Sequence, residues 1–379
     1  LIKGDFFVPL KGENFNGHDF LDIVSKKGAQ AAIISKNSIP LVPKHLIYWV
    51  VDDTLRAYQQ LGLLYRLKLD IPVVAITGSV GKTTTREIIR AAISPLGKIL
   101  STIENNNNDI GVPYTLLQGD SSHVAAVIEM GMRGLGEIRR LSFFTRPDIA
   151  VITNIGSAHI GRLGDRSEIA KAKCEITSSL KSIGVVIIPA YDSLLENTLK
   201  KYWDGRIIRV ALMGDYSSQK PLKDSRDSKL NPKVDLLGKF DLDKGSLFVK
   251  DLSFKLPLEG KHNALNFLFA IAVAQELRVP LEKLTNLTIN TPKGRNQKML
   301  VGQINVFDAT YNSCPEAVEA SLETLMYQPG RHFAVLGTMH ELGEHSIYFH
   351  KKIAESVVNL GLDGFVIVSD GSEAEIMFS

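Results

Sequence analysis

Residues 77–84 read Thr-Gly-Ser-Val-Gly-Lys-Thr-Thr and combine residue types that can hold a phosphate group. Gly78 and Gly81 lack a Cβ, so the backbone around them can approach phosphate oxygens closely. Lys82 could reach the β- and γ-phosphates of a nucleotide, and the Thr83 hydroxyl could ligate Mg²⁺. The spacing is shorter than in the general P-loop, which has a glycine six residues before the lysine, where this chain has Ile76. The stretch therefore predicts a compact loop that binds nucleotide phosphates.

The residues on either side of this loop predict the elements that must position it. Residues 73–76 are a short apolar, β-branched run that is typical of a buried strand. From Thr83 onward the apolar residues recur at helical spacing, at Ile88, Ile89, Ala92 and Ile93. A strand, a glycine loop and a helix in this order direct backbone N–H groups and the positive end of the helix dipole at a bound anion.

Two further polar residues follow predicted strands, at the edge where a parallel sheet presents its ligands. Glu129 ends the apolar run 124–128, and a carboxylate there suits Mg²⁺, which prefers hard oxygen ligands. His159 comes shortly after the run 149–152 and could lie near the same metal. Each residue has a simpler alternative, because Glu129 could end a strand in solvent and His159 could be an ordinary loop histidine. The sequence alone leaves both interpretations open.

Lysines and asparagines on two predicted helices are further candidates. Lys171 and Lys173 lie in the stretch Ala-Lys-Ala-Lys, and the default for lysines on a helix is a solvated face. His262, Asn263 and Asn266 open a helix whose remainder is apolar. Simple N-capping would explain these residues without any ligand.

Composition and length describe an ordinary soluble globular protein of two or three domains. The chain has 379 residues, of which 44% are hydrophobic and 22% charged, and its formal net charge is +3. This near balance gives no reason to expect a nucleic-acid-binding surface, and no apolar run approaches the roughly 18 residues of a membrane span. Two cysteines, Cys174 and Cys314, cannot build a disulfide framework, which fits a reducing compartment. We expect a cytoplasmic monomer.

The pattern of predicted elements divides the chain into three α/β units. Residues 1–70 alternate short strands with helices, and from 71 to 293 buried apolar strands alternate with helices, which predicts a doubly wound, mostly parallel sheet. Residues 215–235 are polar and predict a surface excursion. A third α/β pattern covers 294–379. Because the chain opens at Leu1 and closes in the beginning of a predicted helix, we expect a fragment of a longer protein.

Predicted strands and helices follow from the apolar periodicity. The predicted strands lie at residues 5–8, 31–34, 49–51, 73–76, 124–128, 149–152, 185–188, 304–307, 333–336 and 365–368. The predicted helices lie near residues 53–67, 83–94, 136–142, 168–178, 263–276, 315–325 and 348–359. An earlier short helix carries Phe20, Ile23 and Val24 on one face and is expected to end at Gly28.

Taken in order along the chain, these motifs resemble the Mur ligases, the amide-forming enzymes of peptidoglycan precursor synthesis. The match covers nearly the whole chain and comprises the stretches 12–20, 77–84, 107–113, 170–176, 311–312 and 341–343. The stretches 107–113 and 170–176 are most similar to the family member that joins D-alanyl-D-alanine to UDP-N-acetylmuramoyl-tripeptide. The resemblance implies an N-terminal substrate-nucleotide domain, a central ATPase domain and a C-terminal α/β domain, together with amide formation through an acyl phosphate.

The resemblance also implies a role for each matching residue. The catalytic residues would be Lys82, Lys173, His159 and Arg295. The ATP-binding residues would be Gly78, Ser79, Gly81, Lys82, Thr83, Thr84, Asn263, Asn266, Arg295 and Asp308. The ligands of two Mg²⁺ ions would be Thr83, Glu129, His159 and Lys173, the last as a carbamate, which turns a cation into an anionic oxygen ligand. The residues facing the UDP-linked substrate would be Asn14, Asn107, Asn108 and Asp109.

This chain departs from the family pattern at two positions. Ala309 stands where the family usually has an aspartate near the ATP ribose, which leaves Asp308 for that contact, and Thr338 stands where the family usually has an acidic residue. Residues 294–379 contain no Asp-Asn-Pro-Arg motif, which the ligase that adds the third residue carries, so the resemblance favours the dipeptide as acceptor. Two alternatives stay open. One is a related ligase of the Mur or folylpolyglutamate type, and the other is a P-loop nucleotide-binding protein without ligase activity.

Overall fold

The computed structural model describes residues 2–214, 233–290, 294–295, 297–368, 371 and 377. Within them, the first sheet consists of three parallel strands in the order β1 (Phe6–Phe7), β2 (Ala31–Ser35) and β3 (Ile47–Val51). Helix α1 (Leu21–Lys26) packs on this sheet through Leu21, and Gly28 beyond its end has a φ of +90°, as expected for a glycine that terminates a helix.

Helix α2 (Thr54–Lys68) connects the first sheet to the second. The Asp53 side chain caps the helix by accepting the backbone N–H of Arg56 at 3.0 Å. Near the other end, the buried guanidinium of Arg66 donates to the backbone oxygen of Thr145 at 2.6 Å. This bond satisfies a buried cation and fastens α2 to the layer that covers the second sheet.

The second sheet is the largest in the described part of the chain, with nine strands in the order β12-β11-β10-β9-β8-β7-β4-β6-β5. Neighbours from β5 to β10 are parallel, whereas β10, β11 and β12 pair antiparallel. The strands are β4 (Val73–Thr77), β5 (Lys98–Ser101), β6 (His123–Glu129), β7 (Ile149–Ile152), β8 (Val185–Pro189), β9 (Arg206–Leu212), β10 (Leu236–Asp241), β11 (Ser246–Val249) and β12 (Leu252–Lys255).

Helices cover both faces of this sheet. They are α3 (Lys82–Ile93), α4 (Gly111–Leu117), α5 (Glu137–Thr145), α6 (Ile160–Leu163), α7 (Arg166–Cys174), α8 (Ser193–Leu199) and α9 (Lys261–Glu276). Helices α3 and α9 bury the face that carries Val74 and Ile76, and helices α4 to α8 pack on the face that carries Val73 and Ala75. The central strand is therefore buried on both faces, which explains why its sequence is a continuous apolar run.

The remaining described elements form a smaller α/β arrangement. Strands β13 (Gln297–Val301) and β14 (Ile304–Asp308) form an antiparallel hairpin, and β15 (Phe333–Gly337) pairs parallel with β16 (Gly364–Val368). The connecting helices are α10 (Pro315–Met326) and α11 (Ser346–Leu360). Both contribute buried residues to the hydrophobic cluster on the Val73 face of the large sheet, so this part packs against the central layer.

The structure confirms the predicted α/β class with a mostly parallel central sheet. Strands β5, β9, β10, β11, β12 and β13 were not predicted, because they are short or carry polar residues within or at the ends of their apolar runs. Most of the predicted surface excursion at 215–235 lies outside the described residues. In the described part of the chain, no helix combines the length and the apolar character that crossing a membrane requires.

Candidate active site

The predicted phosphate loop lies between β4 and α3, as the sequence indicates. Gly78 has a φ of +154°, and a Cβ at this position would lie 1.8 Å from the Thr153 hydroxyl oxygen. Gly81 has a φ of +81°, and a Cβ there would approach the Asn266 side chain at 3.2 Å. Both positions therefore need glycine, one mainly for space and the other mainly for its left-handed backbone.

The segment after β7 clamps this loop through backbone and side-chain bonds. Asn154 exchanges two hydrogen bonds with Val80, accepting its N–H at Oδ1 and donating to its carbonyl, each at 3.0 Å. The Gly156 N–H donates to the Ser79 hydroxyl at 2.9 Å. Asn154 was not among the predicted site residues, although it follows a strand as Glu129 does.

Lys82 folds back over the loop that precedes it. Its ammonium group donates to the carbonyl oxygens of Gly78 at 2.8 Å and Ser79 at 3.2 Å. Burial lowers the pKa of Lys82, and the nearby Glu129 carboxylate opposes that shift. The Lys82 ammonium group thus lies at the loop. A phosphate group bound there would take the place of these carbonyl oxygens as its hydrogen-bond partner.

Glu129 is buried rather than solvated, with 1% of its surface exposed, so the simpler interpretation of this residue is wrong. Its Oε1 accepts hydrogen bonds from Thr83 at 3.2 Å and Asn107 at 2.8 Å, and its Oε2 pairs with the buried Arg86 guanidinium at 3.0 Å. Arg86 was not predicted, although it lies one helical turn after Lys82 on the same face of α3.

These groups fit a magnesium ion by the chemistry of their donors. The Thr83 hydroxyl and a Glu129 carboxylate oxygen are hard oxygen donors that converge within 3.2 Å. Among the described residues, no group of three or more His, Cys, Asp or Glu side chains could hold a metal ion. Such a small protein donor set suits Mg²⁺, which commonly takes one or two carboxylates and completes its shell with substrate phosphates and water.

The two lysines of the Ala-Lys-Ala-Lys stretch have opposite environments. Lys171 is half exposed and pairs with Glu168 at 2.5 Å, as a lysine on a solvated helix face would. Lys173 is 1% exposed, so a solvated face is the wrong interpretation for this residue. Burial lowers the pKa of Lys173 well below its usual range, and the positive charge of Lys82 lowers it further.

His159 immediately precedes α6 and has a φ of +67°, which is uncommon outside glycine. Its Nδ1 lies 2.5 Å from Oε2 of Glu341, which comes from the segment between β15 and α11. Burial lowers the pKa of His159, the Glu341 carboxylate opposes that shift, and Lys82 and Lys173 reinforce it. His159 therefore lies within electrostatic range of both lysines.

A cavity of about 830 Å³ opens beside the phosphate loop, between the central layer and residues 294–340. Its lining includes the predicted ATP-binding residues Gly81, Thr84, Asn263, Asn266, Arg295 and Asp308, together with Ala309 and His262. Helix α9 begins at Lys261 after the N-cap residue Gly260, so the asparagines are buried inside the helix and N-capping is the wrong interpretation.

Three ionisable residues of the cavity lining, Arg295, Asp308 and His262, have shifted pKa values. The Arg295 guanidinium lies 4.4 Å from the centroid of the Tyr311 ring, and burial lowers its pKa. The Asp308 carboxylate accepts hydrogen bonds from the Thr310 N–H at 3.1 Å and hydroxyl at 2.7 Å, which lower its pKa. Burial also lowers the pKa of His262 to about 4, so this imidazole is neutral near pH 7.

The residues expected to face the UDP-linked substrate are not gathered in this cavity. Asn107 bonds to Glu129, while the Asn108 side chain caps the start of α4 by accepting the Gly111 N–H at 2.8 Å. The Asp109 carbonyl accepts a hydrogen bond from the Gln59 side chain at 3.0 Å. Asn14 is exposed near the first sheet.

Comparisons with known proteins agree with this geometry. The profile of the Mur ligase middle domain matches residues 76–274. A UDP-N-acetylmuramoyl-tripeptide--D-alanyl-D-alanine ligase of Synechocystis sp. is 38% identical over 98% of this chain and 77% of the relative, and one of Bacillus subtilis is 35% identical over 93% and 74%. The crystal structure of MurF from Acinetobacter baumannii is similar with a TM-score of 0.87, 32% identity and coverage of 100% and 80%. The chain therefore belongs to the Mur ligase family.

Proposed function

We propose that this protein is an ATP-dependent amide ligase that joins D-alanyl-D-alanine to UDP-N-acetylmuramoyl-tripeptide. The observation that carries the proposal is the proximity of a glycine loop, the buried Glu129 carboxylate, the half-buried Lys82 and the buried Lys173, which come from separate elements. Relatives that share 38% and 35% of their residues with this chain are named for this reaction. The proposal includes peptidoglycan precursor synthesis in the cytoplasm by a monomer.

ATP would place its phosphates on the loop at residues 78–81 and its nucleoside in the adjoining cavity. The loop N–H groups and the N-terminus of α3 supply partial positive charge, and Lys82 supplies a full charge. Asp308 and the two asparagines of α9 line the cavity where the ribose and base would lie. A MurF ligase from Thermotoga maritima, 28% identical and with a TM-score of 0.84, has been solved in complex with ADP, which supports nucleotide binding by this chain.

Two Mg²⁺ ions are part of the proposal, the first held by Thr83 and Glu129 and the second by His159 and Lys173. When bound, Mg²⁺ would neutralise charge on the phosphate oxygens. Lys173 can serve as a ligand only after its amine has become an anionic carbamate. Its burial favours this step, because a neutral amine adds to CO₂ and then releases one proton to solvent, whereas an ammonium group has no free electron pair, and burial keeps the pKa of Lys173 low.

The chemistry follows from the weakness of a carboxylate as an acyl donor. An oxygen of the tripeptide's terminal carboxylate attacks the γ-phosphorus, the bond to the β-phosphate oxygen breaks, and ADP leaves an acyl phosphate. The amine of D-alanyl-D-alanine then attacks the carbonyl, loses a proton, and expels inorganic phosphate. Lys82 and Arg295 would position the phosphates and offset their charge, and a closed site would keep water from the acyl phosphate.

The three units of the chain would divide this task between them. Residues 1–70 would bind the UDP-linked substrate with Asn14, residues 71–293 would bind ATP, and residues 294–379 would complete the nucleotide site. The muramoyl-peptide would pass close to residues 107–109. Since Asn107 bonds to Glu129 at 2.8 Å, substrate contact at this stretch would be sensed directly at the proposed metal site.

The experiment offers the full-length protein two substrate pairs with ATP and Mg²⁺. One tube contains UDP-N-acetylmuramoyl-tripeptide and D-alanyl-D-alanine, and the other contains the UDP-muramoyl dipeptide with diaminopimelate or lysine. Phosphate release and a new amide, identified by mass spectrometry, are expected only in the first tube. Product only in the second tube would overturn the acceptor assignment, and ATP binding without product in either would favour the nucleotide-binding alternative.

A matched pair of lysine variants tests the phosphate site itself. Lys82→Ala should reduce ligation by at least about a hundredfold, because the cation acts on the transferring phosphate. Lys171→Ala removes a half-exposed lysine that pairs with Glu168 on its own helix, and should keep activity within about twofold. Similar rates for the wild type and the Lys82 variant would refute the phosphate-site assignment.

A further inference from the structure

The segment 338–345, between β15 and α11, docks on residues 156–164 of the central layer. The Gly161 N–H donates to the Glu341 carbonyl oxygen at 3.1 Å. A Cβ on Gly161 would lie 2.5 Å from the backbone nitrogen of Gly343. The two backbone segments can therefore approach closely because both positions are glycine. His345 adds a contact from Nε2 to the Gly164 carbonyl oxygen at 3.4 Å.

The Glu341 side chain is directed at the proposed catalytic histidine from this docked segment. Its Oε2 lies 2.5 Å from Nδ1 of His159, a close charge contact without the alignment of a hydrogen bond, and its Oε1 lies 3.6 Å from a guanidinium nitrogen of Arg162. Both Glu341 and His159 have left-handed backbones, with φ of +63° and +67°. Such conformations cost free energy in residues other than glycine, so the surrounding contacts must hold both residues in place.

The docked segment is itself fixed from the C-terminal side. The Met339 N–H donates to Nε2 of His350 at 3.0 Å, and Nδ1 of His350 lies 2.8 Å from the Ser346 carbonyl oxygen. His350 is fully buried, and this pair of contacts assigns the proton to Nδ1. Glu341 therefore projects from a rigid support rather than from a free surface loop.

A second carboxylate from the C-terminal part of the chain, that of Glu316, holds the beginning of the loop at residues 156–164. Glu316 at the start of α10 accepts hydrogen bonds from the Ser157 N–H at 2.8 Å and from the Ser157 hydroxyl at 2.9 Å. His159 lies between this anchor and the Gly161 contact. Its position thus depends on contacts with Glu316 of α10 and Glu341 of the docked segment, both from the C-terminal part of the chain.

We propose that Glu341 is a positioning residue that holds the Nδ1 edge of His159, leaving Nε2 as the ring nitrogen available to the nucleotide and metal site. The arrangement exists only while the segment 338–345 is docked, so Glu341 couples docking of the C-terminal part to completion of the site. A carboxylate on one ring nitrogen sets the tautomer and orientation of a histidine that binds through the other. The inference rests on the proposed function, in which His159 belongs to that site.

The test compares Glu341→Ala, Glu341→Gln and the control Glu344→Gln in the full-length protein without metal or nucleotide. Glu344 lies in the same segment, and its side chain is 89% exposed and lies 4.0 Å from Nε2 of His345, so the control keeps both the His159 and the Gly161 contacts of Glu341. The ring ¹⁵N shifts of His159 report the tautomer, and amide hydrogen exchange at Gly161 reports docking. We expect the Nδ1–H tautomer in the wild type and the control, the Nε2–H tautomer in Glu341→Ala, and an increase of about tenfold in Gly161 exchange for that variant.

Glu341→Gln distinguishes positioning from a general loss of structure. Its amide oxygen can still accept the Nδ1 proton, so the tautomer should be retained and Gly161 exchange should rise less than in Glu341→Ala. In ligation assays at saturating substrates, kcat should fall by about ten- to a hundredfold in Glu341→Ala, with recovery in Glu341→Gln. An unchanged His159 tautomer in Glu341→Ala would overturn the inference. Absence of ligation by the wild type would overturn the proposed function instead, and the tautomer readout does not depend on that result.

Discussion

His262 provides a quantitative test of the electrostatics in the nucleotide cavity. Burial lowers the pKa of this imidazole from 6.5 to about 4, whereas the unfolded chain should titrate near the ordinary value. Between these two pH values the unfolded chain binds more protons than the folded chain, so acidification favours unfolding. The loss of stability caused by His262 is absent above the pKa of the unfolded chain and is complete below the pKa of the folded chain. Acidification from pH 7 to pH 5 should therefore lower the free energy of unfolding by about 2 kcal/mol through this histidine.

The assay compares urea unfolding of the wild type and His262→Gln at pH 7, 6 and 5. Glutamine does not titrate, so the variant should lose about 2 kcal/mol less stability than the wild type on acidification. His18 and His159 also have pKa values lowered by burial, but they are present in both proteins and cancel in the difference.

A direct measurement checks the same reasoning at the level of the ring. The Cε1 proton resonance of His262 should titrate with a midpoint near pH 4 in the folded protein. A midpoint near pH 6.5, or an equal loss of stability in wild type and His262→Gln, would refute the assignment of this imidazole to a desolvated wall of the cavity.

Three substitutions test other parts of the site. Gly78→Ala would place a Cβ 1.8 Å from the Thr153 hydroxyl oxygen, so we expect ATP binding by calorimetry to weaken by at least about tenfold, and unchanged binding would contradict a close backbone approach to phosphate. Lys173→Met removes a buried amine, so the Tm should rise while ligation is lost, and a lower Tm would count against a desolvated lysine. Ala309→Asp adds a carboxylate to the cavity lining and should tighten ATP binding by about 1.5–3 kcal/mol, whereas an unchanged Kd would mean that the ribose hydroxyls already have their partner.

Local patterns predicted the phosphate loop and four of the nine strands of the central sheet, namely β4, β6, β7 and β8. Strands β4, β7 and β8 are buried on both faces, so their sequences are continuous apolar runs that can be recognised without knowing their neighbours. The two glycines of the loop follow from their spacing, since the chain must turn sharply between strand and helix. Strands β10 to β12 have polar residues among their apolar ones, and their pairing arises from contacts that no single segment encodes.

The different contacts of Asn107 and Asn108 could not be predicted from the local sequence. Asn107 and Asn108 are adjacent and chemically identical, and the resemblance gave both the same role. In the structure, Asn107 bonds to Glu129 and Asn108 caps α4. The division depends on how β6 and α4 are placed around the stretch. Similarly, the sequence shows Arg86 only as a charged residue on a predicted helix. Its buried ion pair with Glu129 forms because β6 lies beside β4 in the sheet.

The sequence by itself determined the chemistry that is present, namely glycines, lysines, a carboxylate and a histidine next to strand ends, and the elements that carry them. Tertiary structure decided which of these groups are desolvated and which meet. Lys171 and Lys173 lie two residues apart on α7, so a helical repeat of 3.6 residues puts them on opposite sides, but only packing turned Lys173 inward. His159 and Glu341 are far apart in the chain, and their contact arises from the docking of two backbones at Gly161 and Gly343. Burial and long-range contact depend on the packing of whole elements, and for that reason residue types and spacing could name these side chains but not their partners.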